Sequence, residues 1–439
     1  MRRCHALASL RSDERTTPRK RNPSVRKIFS ASRNTFSSPR TAHRAFSLAA
    51  IIFALFWLKT SESFLSKQKV CDLSVLQNNL YICFMVTNNT TLTQNIYLER
   101  LNSLLDKDNY VYEERRVLSF FCGGGGLDIG IRGAGFNVCL STDIEPELCN
   151  IIKHNFSDTI VKPIDINDFT SETAIAETGF SDFDLIIGGP PCQAFSILGQ
   201  RNSFQDPRGQ LVFEYGRVIK ELQPKAFVFE NVPGLLTLNK GKDWSELLEF
   251  LRQETGYKIY HKVLNSADFG VPQIRKRVFI IGFKDHDIDF SFPNPTHTEK
   301  RDLYTANLDK WIPASFALEN VNHLPDHVKR VHGDRVRTRY ENLPQGARDK
   351  VDRTDRIDET KPSGTVLVGS KAGGGRPFVH PIEPRHITVR EAARLQSFPD
   401  WYIFTGPVTW QYRAVGNAVP SLVGFFLGKE IMKSLYGND

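Results

Sequence analysis

The sequence predicts an α/β fold, a Rossmann-like, doubly wound and mostly parallel sheet joined to a smaller irregular domain. Three observations predict it. From Arg116 onward, apolar runs of strand length alternate with helix-length segments for about 170 residues, the order that a parallel sheet with crossover helices requires. The ends of successive strands collect glycines, acids and a Pro-Pro-Cys turn, and open α/β sheets bind ligands at those ends. The alternation lapses near residue 285 and resumes at Thr388, which marks off a second, loop-rich region.

Ahead of the core, residues 1–44 are rich in Arg, Ser, Thr and Pro without apolar periodicity, and read as disordered. Residues 45–58 (AFSLAAIIFALFWL) carry no charge, but a membrane-spanning helix needs roughly 20 apolar residues, so a membrane role is not expected. A long basic leader and the lack of a small-residue cleavage site disfavour a signal peptide. Residues 59–111 are rich in Asn and Thr and weakly patterned. The whole stretch 1–111 is therefore read as a disordered or mis-started extension, with Met85 as an alternative start.

The core then unfolds in order. Strands are expected at residues 117–121, 138–143, 160–164, 183–187, 226–230, 258–264 and 278–283, and helices at 126–133, 146–155, 209–223 and 244–255. This assigns a catalytic domain to 112–284 and a second domain to 285–387. Residues 388–439, opening with the helical VREAARLQSF, return to the catalytic domain.

Length and composition bound the class. A chain of 439 residues exceeds one average domain, and 40% hydrophobic with 24% charged residues is ordinary for a globular enzyme. The formal charge of +8 is misleading, because residues 1–44 hold twelve Lys/Arg against two acids, leaving about −2 for the rest. Nucleic-acid binding by the body must rely on a local basic surface. The seven cysteines form no CxxC pair and no zinc-spaced cluster, so a reducing setting and no metal are expected. Cys122, Cys139 and Cys149 sit in apolar surroundings and read as small core residues.

Chemistry gathers at the strand ends. Strand one runs into Phe121-Cys122-Gly123-Gly124-Gly125-Gly126 and a helix, where glycines allow a tight turn against a ligand; the spacing is not the GxGxxG of dinucleotide binders. Strand two ends at Asp143, suited to ribose hydroxyls, and strand three near Asp165-Ile166, suited to an adenine amine and ring face. Strand four delivers Gly188-Gly189-Pro190-Pro191-Cys192-Gln193-Ala194-Phe195-Ser196. The two prolines stiffen the loop that carries a thiol, the setting a nucleophile needs. Strand five brings Glu230, suited to protonating a ring nitrogen. Alternation in Gln273-Ile274-Arg275-Lys276-Arg277 is expected to put Gln273, Arg275 and Arg277 on one face, for a base carbonyl or a phosphate.

Taken in order, FCGGGGLDIG, GGPPCQAFS, FENVPGL, QIRKR, REAARLQSFP and AVGNAVP make the chain from about Arg116 to its end resemble the DNA cytosine-5 methyltransferases of bacterial restriction–modification systems. The resemblance implies the S-adenosylmethionine-dependent methyltransferase fold. It implies that Phe121, Gly123, Gly125, Gly126, Leu127 and Pro190 line a pocket for S-adenosyl-L-methionine. Asp143 and Ile144 would lie at the ribose, Asp165 and Ile166 at the adenine, with Asn417 and Ala418 closing the pocket. It further implies that Cys192 is the nucleophile beside Pro191, that Glu230 and Arg277 hold the N3 and O2 edges of a flipped cytosine, and that Arg275 belongs to the catalytic set. Gln193, Ser196, Arg201, Gln273 and Arg275 would contact double-stranded DNA, and residues 285–380 would read its sequence.

Three positions depart from the family pattern. Ser119 stands where an Asp is usual, Asp143 where a Glu is common, and Ile144 where a Trp is frequent. The same resemblance implies a cytoplasmic, nucleoid-associated monomer that protects DNA from a cognate restriction endonuclease. The alternatives are a transfer-RNA cytosine-5 methyltransferase and a catalytically silent DNA-binding regulator. An intact Gln193-Ala194-Phe195-Ser196 argues against the first, and the joint presence of Cys192, Glu230 and Arg277 against the second. An amino-methyltransferase would carry an aromatic where Cys192 stands.

Overall fold

The structure, a computed structural model, describes residues 91–110, 114–191, 207–367 and 378–437, all within the second of two units, 88–439. Its centre is a seven-stranded sheet: β1 Arg116–Phe120, β2 Asn137–Asp143, β3 Ile160–Pro163, β4 Leu185–Gly188, β5 Ala226–Asn231, β6 Lys258–Asn265 and β7 Lys276–Phe283. The spatial order is β3-β2-β1-β4-β5-β7-β6. Neighbours from β3 to β5 are parallel, and β7 inserts antiparallel between β5 and β6. Both faces are covered, as a parallel sheet requires. Val117, Ile187 and Val228 enter one core, while their sequence neighbours Leu118, Ile186 and Phe227 enter the other.

All seven expected strands are present, and the expected core helices correspond to α2 Gly126–Gly133, α3 Pro146–Asn155, α5 Pro207–Leu222 and α6 Lys242–Thr255. Helix α4 Ser171–Thr178 was not expected. It buries only Ala174, so its sequence has little apolar stripe; the Thr170/Thr173 capping box and left-handed Gly179 define its ends.

Helix α1 Thr91–Leu104 corrects the reading of 1–111 as a structureless extension. Tyr97, Leu101 and Leu105 recur every four residues and are buried. The Tyr97 hydroxyl donates to the Arg394 carbonyl (3.1 Å), and Trp401 Nε1 donates to the Leu105 carbonyl (2.7 Å). The apolar stripe was present in the sequence, but its partners lie nearly 300 residues away.

The described residues of 285–387 hold only short elements: β8 His297–Thr298, β9 Asp309–Lys310, α7 Ser315–Leu318 and α8 Asp334–Glu341. Side chains supply the order that strand ladders supply elsewhere. The Arg356 guanidinium donates to the carbonyls of Tyr340, Leu343 and Pro381. Buried ion pairs then join this region to α9 Val389–Leu395: Arg390 to Asp326 at 2.6 and 2.8 Å, and Arg385 to Glu391 at 2.8 Å through both nitrogens. The chain closes with α10 Val408–Asn417 and α11 Ser421–Tyr436.

Two histidines in this network are held neutral. His380 Nδ1 accepts from the Ile382 and Glu383 amides, so protonating it breaks both bonds. His386 Nε2 meets the Tyr340 hydroxyl at 2.8 Å, and its buried Nδ1 has no hydrogen-bond partner among the described residues. Burial is the main cause that pushes each pKa down from 6.5 to about 4, although Glu391 opposes the shift at His380. The unfolded chain therefore binds more protons than the folded one between those values, and stability falls as pH drops through that window. The midpoint of urea unfolding should decrease from pH 7 to pH 4.5, with a shallower slope in His380→Gln.

Candidate active site

The carboxyl ends of β3, β2, β1, β4 and β5 open, in that spatial order, on one cavity of about 520 Å³, a volume in the range of small-molecule sites. The strand-one loop contributes Phe121, Cys122, Gly123, Gly126 and Leu127; strands two and three contribute Asp143, Ile144, Asp165 and Ile166. Pro190, Pro191 and Glu230 line the opposite side with Arg275 and Arg277, and Asn417 and Ala418 complete the wall. Cys192, Gln193, Ser196 and Arg201 lie outside the described residues.

The glycine run has two uses. Gly123 (φ 54°) and Gly125 (φ 73°) take left-handed conformations that turn the chain into α2. At Gly124 and Gly126 the demand is space: a Cβ would fall 2.4 Å from the Ala414 carbonyl oxygen and 2.2 Å from that of Val419. Gly125 does not line the cavity as expected. It faces the Tyr402 hydroxyl and Ile152, and that hydroxyl donates to the Gly124 carbonyl (3.0 Å).

On the β2 and β3 side, Asp143 accepts from the Gly123 amide and the Glu145 amide, both at 3.0 Å. Burial is the main cause that raises its pKa, and the two amides oppose it. A carboxylate has about four acceptor sites, so two bonds leave capacity for ribose hydroxyls. Ile144 is 63% exposed at the rim, and Asp165 caps a turn by accepting from the Asn167 amide (3.0 Å). These residues suit an adenosine-bearing ligand.

The β4 and β5 side is stiffer. Asn231 Nδ2 donates to the Pro190 carbonyl (2.9 Å), holding the turn that leads to Cys192. A Cβ on Gly189 would lie 2.7 Å from Glu230 Oε2, so a larger residue there would displace that carboxylate from its present position. Glu230 pairs with Arg277 Nε at 2.9 Å. Burial raises the Glu230 pKa as the largest effect, with Arg277 and then Arg275 opposing it. The upward shift eases protonation of this carboxyl, the direction that suits a proton donor beside a bound base.

Two expectations about the QIRKR segment need correction. Gln273 is fully buried away from the cavity: its amide nitrogen donates to the Leu395 carbonyl and to Gln396 Oε1, both at 3.0 Å, and its oxygen accepts from the Val366 amide. Arg275 lines the cavity but is 2% exposed, with its guanidinium donating to the carbonyls of Val366 (3.1 Å) and Gly416 (2.9 Å). Neither side chain is free to reach DNA. Alternation itself holds, with Gln273, Arg275 and Arg277 turned inward and Ile274 and Lys276 outward; what differs is that the inward face packs against later segments at Gln273 and Arg275 instead of lying open to DNA. Sequence reasoning also missed Asn231 and Arg413. Asn231 directly follows Glu230, and that adjacency was the available signal; Arg413 reaches Glu145 (3.4 Å) from a distant helix, without a local signal.

Gly124→Ala or Gly126→Ala should therefore act as overpacking and cost about 1–3 kcal/mol. Thermal unfolding of the full chain should show the loss, and an unchanged Tm would mean that the C-terminal segment does not seat against the loop.

Residues 115–433 match the family model described as C-5 cytosine-specific DNA methylase. The chain is 37% identical over 332 residues to the Type II methyltransferase M1.HphI of Haemophilus parahaemolyticus, covering 72% of this chain and 86% of that one. It is 35% identical to the Type II methyltransferase M.NgoFVII of Neisseria gonorrhoeae, with the same coverage of both chains. Among solved structures, a prophage-encoded Escherichia coli protein assigned as a DNA modification methyltransferase aligns with TM-score 0.57 at 27% identity, over 73% of this chain and 99% of its own. The Schizosaccharomyces pombe Dnmt2 methyltransferase aligns with TM-score 0.55 at 20% identity, over 73% and 99%, a likeness of fold. With the cavity at the strand ends and the family match spanning the sheet and both later regions, the chain belongs to the C-5 cytosine-specific DNA methyltransferases of bacterial restriction–modification systems.

Proposed function

We propose that the protein methylates carbon 5 of a flipped-out cytosine in a short duplex sequence, with S-adenosyl-L-methionine as donor and Cys192 as nucleophile. The observation that carries this reading is the Glu230–Arg277 pair, 2.9 Å apart, in the same cavity as the turn Pro190-Pro191 that precedes Cys192. The adenosine-type residues on β2 and β3 and the volume of the cavity fit the donor. S-adenosylmethionine, when bound, supplies an electrophilic methyl group.

The chain's own residues do the rest. Carbon 5 of cytosine is a weak nucleophile, so the Cys192 thiolate adds to carbon 6 while Glu230 gives its proton to N3, which makes carbon 5 enamine-like. Burial raises the Glu230 pKa and so eases its protonation, and Arg277 both orients the carboxyl and offers N–H donors to the O2 edge. Loss of the carbon 5 proton to a water molecule after methylation re-forms the ring double bond and expels the Cys192 thiolate, and the N3 proton returns to Glu230. Extruding the base costs a few kcal/mol, offset by contacts to the flipped nucleotide. Residues 285–387 supply the sequence reading, and a restriction endonuclease cutting the same site is the proposed counterpart in the cell.

Bisulfite sequencing of plasmid from cells expressing the full chain should reveal protected cytosines within one short motif, absent with Cys192→Ser. Protection that persists in that variant would refute the covalent route; none with the wild-type chain would favour an RNA substrate or a silent binder. Glu230→Gln should lower turnover about 10²–10⁴-fold, the usual contribution of a positioned general acid, measured as tritiated methyl incorporation at saturating DNA.

A further inference from the structure

The order of the strands constrains where a donor's reacting centre must lie. The residues suited to adenosine stand at the ends of β2 and β3, and those suited to the target base at the ends of β4 and β5. Strand β1 lies between β2 and β4, so a ligand reaching from one group to the other must pass over the end of β1. In S-adenosylmethionine the part between the adenosine and the transferred methyl is the sulfonium, which carries a positive charge.

A buried carboxylate lies at that place. Asp128, in the first turn of α2, lines the cavity and is 1% exposed. Its two oxygens each accept one serine hydroxyl, Ser119 Oγ of β1 and Ser141 Oγ of β2, both at 2.7 Å. Both donors are uncharged. Arg132, one helical turn further on, favours the ionised form by its field but directs its guanidinium at Asp158, Thr159 and the Val138 carbonyl. Burial raises the Asp128 pKa as the largest effect, and the two serine hydroxyls and the Arg132 field oppose it by favouring the carboxylate.

We infer that Asp128 is the counter-charge for the sulfonium of the donor, a positioning residue that the Ser119 and Ser141 hydroxyls aim at the cavity above β1. It follows that the departure at Ser119 is a relocation rather than a loss: the carboxylate usual at that strand position is delivered across a 2.7 Å hydrogen bond from the helix. It also follows that Asp128 separates donor from product. S-adenosylhomocysteine differs from the donor by one methyl and by that charge, so it does not draw on Asp128.

This inference rests on the proposed donor, and its test is a binding measurement. Titration calorimetry of the full chain with S-adenosylmethionine and with S-adenosylhomocysteine gives both dissociation constants for wild type and for Asp128→Asn. The expected result is a loss of at least tenfold in affinity for the donor with less than threefold for the product. An equal loss for both ligands would make Asp128 a structural residue, and no loss for either would remove it from the site; both outcomes overturn the inference. The exchange Ser119→Asp with Asp128→Ser keeps the same two groups on opposite partners and should restore the wild-type ratio of affinities. A folded double variant without that ratio, or failure of both variants to fold, also overturns the inference. If wild type binds neither ligand, the proposed donor fails instead.

Discussion

The close approach of the C-terminal segment to the strand-one loop is the contact on which the rest of the site depends. Backbone carbonyls of Ala414 and Val419 occupy the space that Cβ atoms at Gly124 and Gly126 would need, and the same crossing continues where Gly130 meets Ser421 and Phe425. Glycine is required here for two different reasons along one short run, a left-handed turn at Gly123 and Gly125 and a missing side chain at Gly124 and Gly126. Segments separated by nearly 300 residues are thereby brought to one wall of the cavity. Asn417 and Ala418 reach it because those glycines leave room.

A second constraint is electrostatic. The cavity gathers Asp128, Asp143 and Glu230, and burial raises the pKa of all three. Each is stabilised differently: Asp128 by serine hydroxyls, Asp143 by backbone amides, Glu230 by a guanidinium. Such differences let neighbouring carboxyl groups take different protonation states and so different tasks. Arg275, fixed to the Val366 and Gly416 carbonyls, ties the base side of the cavity to both later segments of the chain.

Among its described residues, the region between β7 and α9 has no extended strand, yet it is ordered by buried ion pairs and by Arg356, whose guanidinium donates to five backbone carbonyls. Arg385 ahead of α9 and Arg390 and Arg394 within it are charged side chains of a kind usually solvated, and all are buried. Burying them is tolerable because each meets a carboxylate through two nitrogens. A scaffold of this kind fixes loops without using up sheet edges.

By itself, the sequence determined the sheet, because apolar runs such as LIIG of β4 and AFVF of β5 have few alternatives once helices flank them. It also determined the strand ends that carry chemistry, since Gly-rich and Pro-Pro turns and the acids beside them are local signals. Only the tertiary structure decided which of those residues face one another. Gln273 and Arg275 read locally as an exposed basic strand and are buried connectors, because their hydrogen-bond partners at Leu395, Val366 and Gly416 are about 90 to 140 residues away. Helix α1 and Asp128 follow the same rule: the one has its apolar partner in Trp401, the other its serine donors on two strands. The burial that gives a polar side chain its role comes from distant residues, and spacing along the chain does not carry that information.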